Sequence, residues 1–396
     1  MNGYQNDFPV IKNRSHEQDF IYLDSAATCL MPNRVINKVV EYMTHCGANP
    51  YRGASVVSEE ATILCDESRK TIAYFLGVRA DEVIFCRGTT DGLNLISNLL
   101  ELNENEWIVN TVFEHHANHL PWKMNSSLIS VGMTSLGEVD LIELESVLSS
   151  KQIKLVTLTY ASNVMGIVQP VEQAIKLAHQ YGAKICIDAA QVVSHFSLKL
   201  SSIQPDFLVF SGHKMFAMKG IGILYINKKI QGELRYKRFG GGMVNTVTRD
   251  VIEFKQAPLG FEPGTPSVES IISLGAACDY IQSIGWDKIY DHGQQWSDFF
   301  LSELNASDFE LLLSSGRSYL PIFTLKHKSK NVDYSRLART LSDTFNIMVN
   351  DGQQCCGPLY EYFNQANGLR VSGQIYNSLE QIKQLFNALN QLSLMM

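Results

Sequence analysis

The apolar positions of this chain follow two rhythms. Short, mostly apolar runs recur at 82–86, 107–112, 154–158, 183–187, 207–210 and 222–226, and between several of them apolar residues fall three and four apart, as at 91–100 and 171–181. Runs of that length bounded by turn residues predict strands buried on both faces, and the wider spacing predicts the helices that cover them. Strand and helix in alternation give βαβ units, hence an α/β fold with a mostly parallel sheet. Helices are expected at 33–45 and 58–76, ahead of the sheet. After Pro266 the pattern changes to helices at 268–284, 287–304, 334–345 and 379–392, with strands near 320–325 and 346–349, which predicts a smaller α+β lobe. The expected division is an N-terminal segment 1–20 packing with the small lobe, a large lobe 21–266, and a small lobe 267–396. No internal repeat, low-complexity tract or long linker interrupts it.

Composition narrows the class of partner. With 396 residues, 45% hydrophobic and 18% charged, the chain can fill a large core. A net charge of −7 with scattered Lys and Arg leaves no basic stripe for nucleic acid. The first residues, Met1 to Asp7, have neither a basic start nor an apolar run, so no secretory signal is expected, and no stretch approaches a membrane span. The eight cysteines include no zinc-type Cys-x-x-Cys pair, so no metal is expected. Their usage predicts a cytoplasmic protein.

The chemistry gathers where the predicted strands end. Asp206-Phe-Leu-Val-Phe-Ser-Gly-His-Lys214 is a buried strand running into a short polar hinge with a lysine, suited to capturing an aldehyde cofactor. The strand before it ends at Asp188, followed by Gln191, and an acid there can keep the nitrogen of pyridoxal phosphate (PLP) protonated. Arg87-Gly-Thr-Thr-Asp-Gly92 leads from a strand into a helix whose N–H groups and the hydroxyls of Thr89 and Thr90 can cradle a phosphate. Glu114-His115-His116 supplies an imidazole plane for the ring, with His116 and His119 expected to be ordinary histidines. Cys355 and Cys356, between Gly352 and Gly357-Pro358, fall in a loop, whereas Cys86 and Cys186 read as core residues.

With Tyr22-Leu-Asp-Ser-Ala-Ala27, Ser162-Asn-Val-Met-Gly166, Gly240-Gly-Gly242, Phe261-Glu-Pro-Gly-Thr265-Pro266, Arg370-Val-Ser372 and Tyr376-Asn377 added in order, the chain resembles the class V aminotransferases of the fold-type I PLP enzymes, most closely the group II cysteine desulfurases and selenocysteine lyases. The resemblance implies a large PLP-binding domain on a seven-stranded sheet and a homodimer. It implies that Lys214 forms the Schiff base and shuttles a proton, that Asp188 pairs with the pyridinium, and that His115 stacks on the ring. It assigns Thr90, Ser211 and His213 to the phosphate, Asn163 and Gln191 to the phenolic oxygen, and Thr265 to the phosphate of the second subunit. Cys355 takes the place of the persulfide-forming residue, and Arg370 that of the arginine holding the substrate carboxylate, with Arg52 and Asn163 as further substrate contacts. A sulfur-acceptor protein is an expected partner.

The substrate rim departs from the family pattern. Asn350-Asp-Gly-Gln-Gln354 stands where an arginine and one or two histidines precede the cysteine, and Tyr51-Arg-Gly-Ala-Ser55 keeps the arginine of a His-Arg-Gly-x-His pattern but neither histidine. Three readings stay open: a desulfurase or close lyase, another class V enzyme such as an aminotransferase, epimerase or C–S lyase in which Cys355 is incidental, and a non-catalytic scaffold.

Overall fold

The computed structural model describes residues 4–15, 19–313 and 320–394. The first three residues of the N-terminal segment and residues 16–18 lie outside that set. The main sheet has seven strands, β1 (Val83–Cys86), β2 (Trp107–Thr111), β3 (Ser127–Val131), β4 (Ile153–Thr159), β5 (Lys184–Asp188), β6 (Phe207–Ser211) and β7 (Gly222–Ile226), in the order β1-β7-β6-β5-β4-β2-β3. All neighbours run parallel except β7, which is antiparallel to both β1 and β6. Every residue of β6 and β7 is buried, as strands covered on both faces require.

Six of the seven strands lie where the apolar runs predict them. The exception, β3, is an edge strand of sequence Ser-Leu-Ile-Ser-Val that is only half-buried, so it carries no continuous apolar run. Register aligns the strand ends: Thr159 pairs with Asp188, and Ser211 and Cys86 both face Gly222. Gly222 is needed there, because a Cβ would stand 2.4 Å from the Phe210 carbonyl oxygen and 2.5 Å from the Gly88 Cα.

Helix Thr89–Leu99 begins two residues earlier than its apolar spacing suggests, because Gly88 (φ 146°) makes the turn out of β1 in a region closed to other residues. Thr89 and Thr90 therefore occupy its first turn and make no side-chain cap. Helix Val56–Leu76 likewise starts ahead of its expected position, capped by Ser55 and ended by Gly77 at φ 71°.

The small lobe carries β8 (Phe309–Leu311), β9 (Ile322–His327), β10 (Asn350–Gly352) and β11 (Gly368–Ser372) in the antiparallel order β8-β9-β11-β10. The strand expected at 346–349 is divided. Asn346 turns left-handed to end helix Tyr334–Phe345, Ile347–Met348 then pairs in parallel with Ile21–Tyr22, and the chain re-enters the sheet as β10. Phe8 packs against Phe216, Tyr280 and Tyr376, which ties the N-terminal segment to both lobes. Among the described residues no helix is long and apolar enough to cross a membrane.

Candidate active site

The carboxyl ends of β1, β4, β5 and β6 open into a cavity of about 300 Å³, closed on the other side by the small lobe. Lys214, Asp188, His115, Thr89, Thr90, Asn163, Gln191, Ser211, His213, Cys355 and Arg370 all line it. Thr265 and Arg52 do not. They line a second, larger cavity of about 790 Å³, in which an Arg52 Nη lies 3.5 Å from the Gly264 carbonyl.

The floor is a set of groups whose burial opposes charge. Asp188 is 4% exposed, and one of its oxygens accepts the Ala190 N–H at 2.9 Å. Burial raises its pKa, against the opposing pull of the Ala190 N–H and of Lys214. Burial lowers that of Lys214, with Asp188 pulling the other way. Among the described residues neither makes an ion pair. His115 is driven down to about 4 by burial, helped by Lys214, and its Nδ1 accepts the Ala117 N–H at 3.0 Å, so the ring is neutral with its proton on Nε2. His213 is likewise lowered to about 4, mainly by burial, and its Nδ1 lies 3.1 Å from the Thr28 hydroxyl.

Beside the floor, the Thr89 N–H donates to Ser211 Oγ at 2.8 Å and the two hydroxyls stand 2.9 Å apart. This fixes the first turn of helix Thr89–Leu99 against the end of β6, with N–H groups and the helix dipole directed at the cavity. A planar ring bearing a basic nitrogen and a phosphate matches this donor set: a lone buried carboxylate for the nitrogen, a half-buried amine for the aldehyde, a flat imidazole face, and a helix N-terminus with hydroxyls for the anion.

The rim is built differently. Arg370 donates from Nη1 to the Asn163 carbonyl at 3.1 Å and from Nη2 to Asp24 at 3.0 Å, while its buried Nε has no partner. The other Asp24 oxygen accepts from the Asn350 amide at 3.1 Å. Asp24 is a site residue the sequence reading missed; its position in the Tyr22-Leu-Asp motif was the available signal. The amide of Asn163 donates to the Gln354 carbonyl at 2.8 Å and that of Gln191 to the Ala26 carbonyl at 3.0 Å, which leaves each nitrogen one further hydrogen.

Cys355 is exposed at the cavity mouth, in a turn where Gln354 (φ 46°) and Cys355 (φ 57°) are both left-handed. Two such residues in succession cost about 1–2 kcal/mol each, so contacts from outside the turn must hold it. The His116 N–H donates to the Cys355 carbonyl at 2.7 Å, and the Gly357 N–H donates to His116 Nε2 at 3.1 Å. Cys356 is fully buried, its Sγ 3.3 Å from the Glu114 carbonyl, and burial raises its pKa strongly. The adjacent thiols thus face opposite environments. Glu114 itself is buried beneath the site and pushed up to about 8 by desolvation, although Thr111, Asn118 and the Thr159 N–H all donate to it.

Fold and cavity together define an α/β enzyme of the aminotransferase type. The chain belongs to the class-V aminotransferase family, whose model matches residues 21–385. It is 34% identical over 398 residues to the cysteine desulfurases of Enterobacter sp. (strain 638) and Shigella flexneri, spanning 98% of this chain and 96% of each relative. Among solved structures, the apo cysteine desulfurase of Thermococcus onnurineus NA1 superposes with a TM-score of 0.91 at 29% identity, covering 99% of this chain and 98% of that one. A cysteine desulfurase from Escherichia coli shares the fold, with a TM-score of 0.90 at 24% identity over 99% of this chain and 98% of its own.

Proposed function

We propose that this chain is a PLP-dependent cysteine desulfurase that converts L-cysteine to L-alanine and leaves the sulfur as a persulfide on Cys355. One observation carries the reading: an exposed cysteine stands at the mouth of a cavity whose floor holds the half-buried Lys214 and the buried Asp188. When bound, PLP supplies a conjugated ring that delocalises the electron pair left at the substrate Cα. Asp188 holds the ring nitrogen, His115 covers the ring face, and Thr89, Thr90, Ser211 and His213 hold the phosphate. Asn163 and Gln191 offer their remaining amide hydrogens to the phenolic oxygen.

Lys214, whose pKa burial lowers, would anchor the cofactor, and its Nζ would take the proton from Cα and return one to Cα before alanine leaves. Arg370 orients the substrate through its carboxylate, offering the hydrogens that Nη1 and Nη2 keep beyond their bonds to Asn163 and Asp24. Cys355, as thiolate, attacks the substrate sulfur. Its S–S bond forms while the substrate Cβ–S bond breaks, and the electron pair left on Cβ takes up a proton to give alanine. Exposure of Cys355 suits delivery of the sulfur to an acceptor protein.

Thr265, which lines the other cavity of its own subunit, serves the phosphate site of a neighbouring copy, so the working unit is a homodimer. Eight free thiols and no disulfide fit a cytoplasmic enzyme. The test is to supply PLP-loaded protein with L-cysteine and quantify alanine and persulfide. Equal amounts of both, with the persulfide mapped to Cys355, support the reading. Pyruvate, transamination or no product overturns it.

A further inference from the structure

His116 lies outside the cavity that holds Lys214, yet it contacts the Cys355 turn at two points. Its backbone N–H donates to the Cys355 carbonyl at 2.7 Å, and its Nε2 accepts the Gly357 N–H at 3.1 Å. The two contacts bracket the cysteine, one at the residue itself and one two positions on, where helix Gly357–Tyr362 begins. Nε2 acts as the acceptor, so the ring proton resides on Nδ1.

Two further bonds reinforce the same junction. The Cys356 thiol reaches the Glu114 carbonyl at 3.3 Å, and the Asn163 amide reaches the Gln354 carbonyl at 2.8 Å. The segment ending β2 that carries His115 over the cavity floor therefore also grips the rim. The His116 imidazole and the Cys356 thiol are the contacts that a side-chain substitution removes without touching the cavity lining, and of the two only His116 stands on the large-lobe segment. The left-handed backbone at Gln354 and Cys355 makes the grip necessary, because a turn in that conformation relaxes once its external partners are lost.

We propose that His116 is a positioning residue for Cys355: its imidazole clamps the small-lobe turn to the strand-end segment and fixes the thiol at the cavity mouth. The inference rests on the desulfurase reading for its kinetic consequence. Its structural core does not depend on it. A thiol displaced by about 1 Å from the line of attack loses up to about 10²-fold in rate, while the amino-acid site, built from Arg370 and the floor, is untouched.

The experiment compares H116A and H116Q in the PLP-loaded protein. Glutamine places an acceptor oxygen near the position of Nε2, and alanine places none. In H116A, hydrogen exchange of the peptide spanning 353–359 is expected to accelerate at least tenfold, and kcat for alanine formation to fall about tenfold to a hundredfold with KM and the visible spectrum of bound PLP unchanged. H116Q is expected to restore both slow exchange and most of kcat. Unchanged exchange in H116A overturns the clamp, as does a glutamine variant as defective as alanine, or a loss confined to KM or PLP content. If the parent protein makes no alanine from cysteine, the desulfurase reading fails, and exchange in the two variants still decides whether His116 holds the turn.

Discussion

The floor and the rim of the cavity are built by opposite means. At the floor, Lys214, Asp188, Ser211 and His115 stand at or just beyond the ends of strands locked into a seven-stranded sheet, and burial shifts the pKa of Lys214, Asp188 and His115 toward their neutral forms. At the rim, Asn350 and Arg370 pair with each other in the small lobe's own sheet and Cys355 sits in a loop beside them, and a few hydrogen bonds tie this group across to the large lobe. A rigid floor can hold a cofactor of fixed shape. A rim supplied by a separate lobe can change its substrate or its acceptor by exchanging one or two residues, and the departures at Asn350, Gln353 and Gln354 lie there or beside it.

The contrast can be broken most severely at the floor. Lys214→Ala removes both the anchor for PLP and the proton carrier, so turnover is expected to fall by at least about 10⁴-fold, in keeping with general acid–base and covalent contributions acting together. Borohydride treatment followed by peptide mapping checks it: the parent protein should carry the reduced cofactor on Lys214, and the variant should carry none. A reduced adduct on another lysine would sink the assignment.

At the rim the two thiols should separate cleanly. Cys355→Ser is expected to abolish persulfide formation with the PLP spectrum intact. Cys356→Ser keeps a donor for the Glu114 carbonyl and should retain activity within about threefold, since the change affects packing and not the reacting atom. Inactivity of the Cys356 variant alone would reverse the two roles.

A smaller effect is expected at Arg370. Replacement by Lys keeps the charge but loses the fork that spans Asn163, Asp24 and the free Nε. Losing one charge-assisted bond of about 1.5–3 kcal/mol should raise KM for cysteine by roughly tenfold to a hundredfold and change kcat little. Steady-state kinetics decide it, and an unchanged KM would remove Arg370 from substrate binding.

The mildest test concerns stability and not turnover. The folded-state pKa of Glu114, about 8, lies above the ordinary 4.5, so the folded protein holds a proton that the unfolded chain releases between those values. Its contribution is therefore full below pH 4.5 and is lost as pH rises toward 8. His115, lowered to about 4, works in the opposite sense, losing its contribution as pH falls from 6.5 to 4. In Glu114→Gln the high-pH loss should vanish, so the stability of the variant relative to the parent should improve from pH 5 to pH 8 in urea titrations of the PLP-free protein. A constant difference would show that Glu114 is ionised throughout.

Legibility followed the same division. The floor residues could be read because each sits where a continuous apolar run gives way to polar residues, and such runs mark strands buried on both faces. The rim could be read only as identities. That Arg370 is held by Asp24, that His116 grips the cysteine turn, and that Gln354 and Cys355 are left-handed follow from contacts between residues far apart in the chain, which periodicity does not register. Edge elements escaped for a related reason. Strand Ser127–Val131 and the exposed hairpin of Val244–Val247 and Ile252–Phe254 have one face or none in the core, so neither shows a buried-strand pattern.

The place of β7 bears on how the protein is made. That strand lies between β1 and β6, so β1 cannot join the sheet until residues 222–226 have left the ribosome, well over a hundred residues after β1 itself. Until then the Gly88 turn has no Gly222 to close against, and its helix N-terminus has no finished wall. Pairing so distant in sequence is slow and leaves an unpaired edge in the meantime. The cavity wall is therefore completed only late in synthesis, and a nascent chain stalled before Ile226 would expose β6 as an open edge.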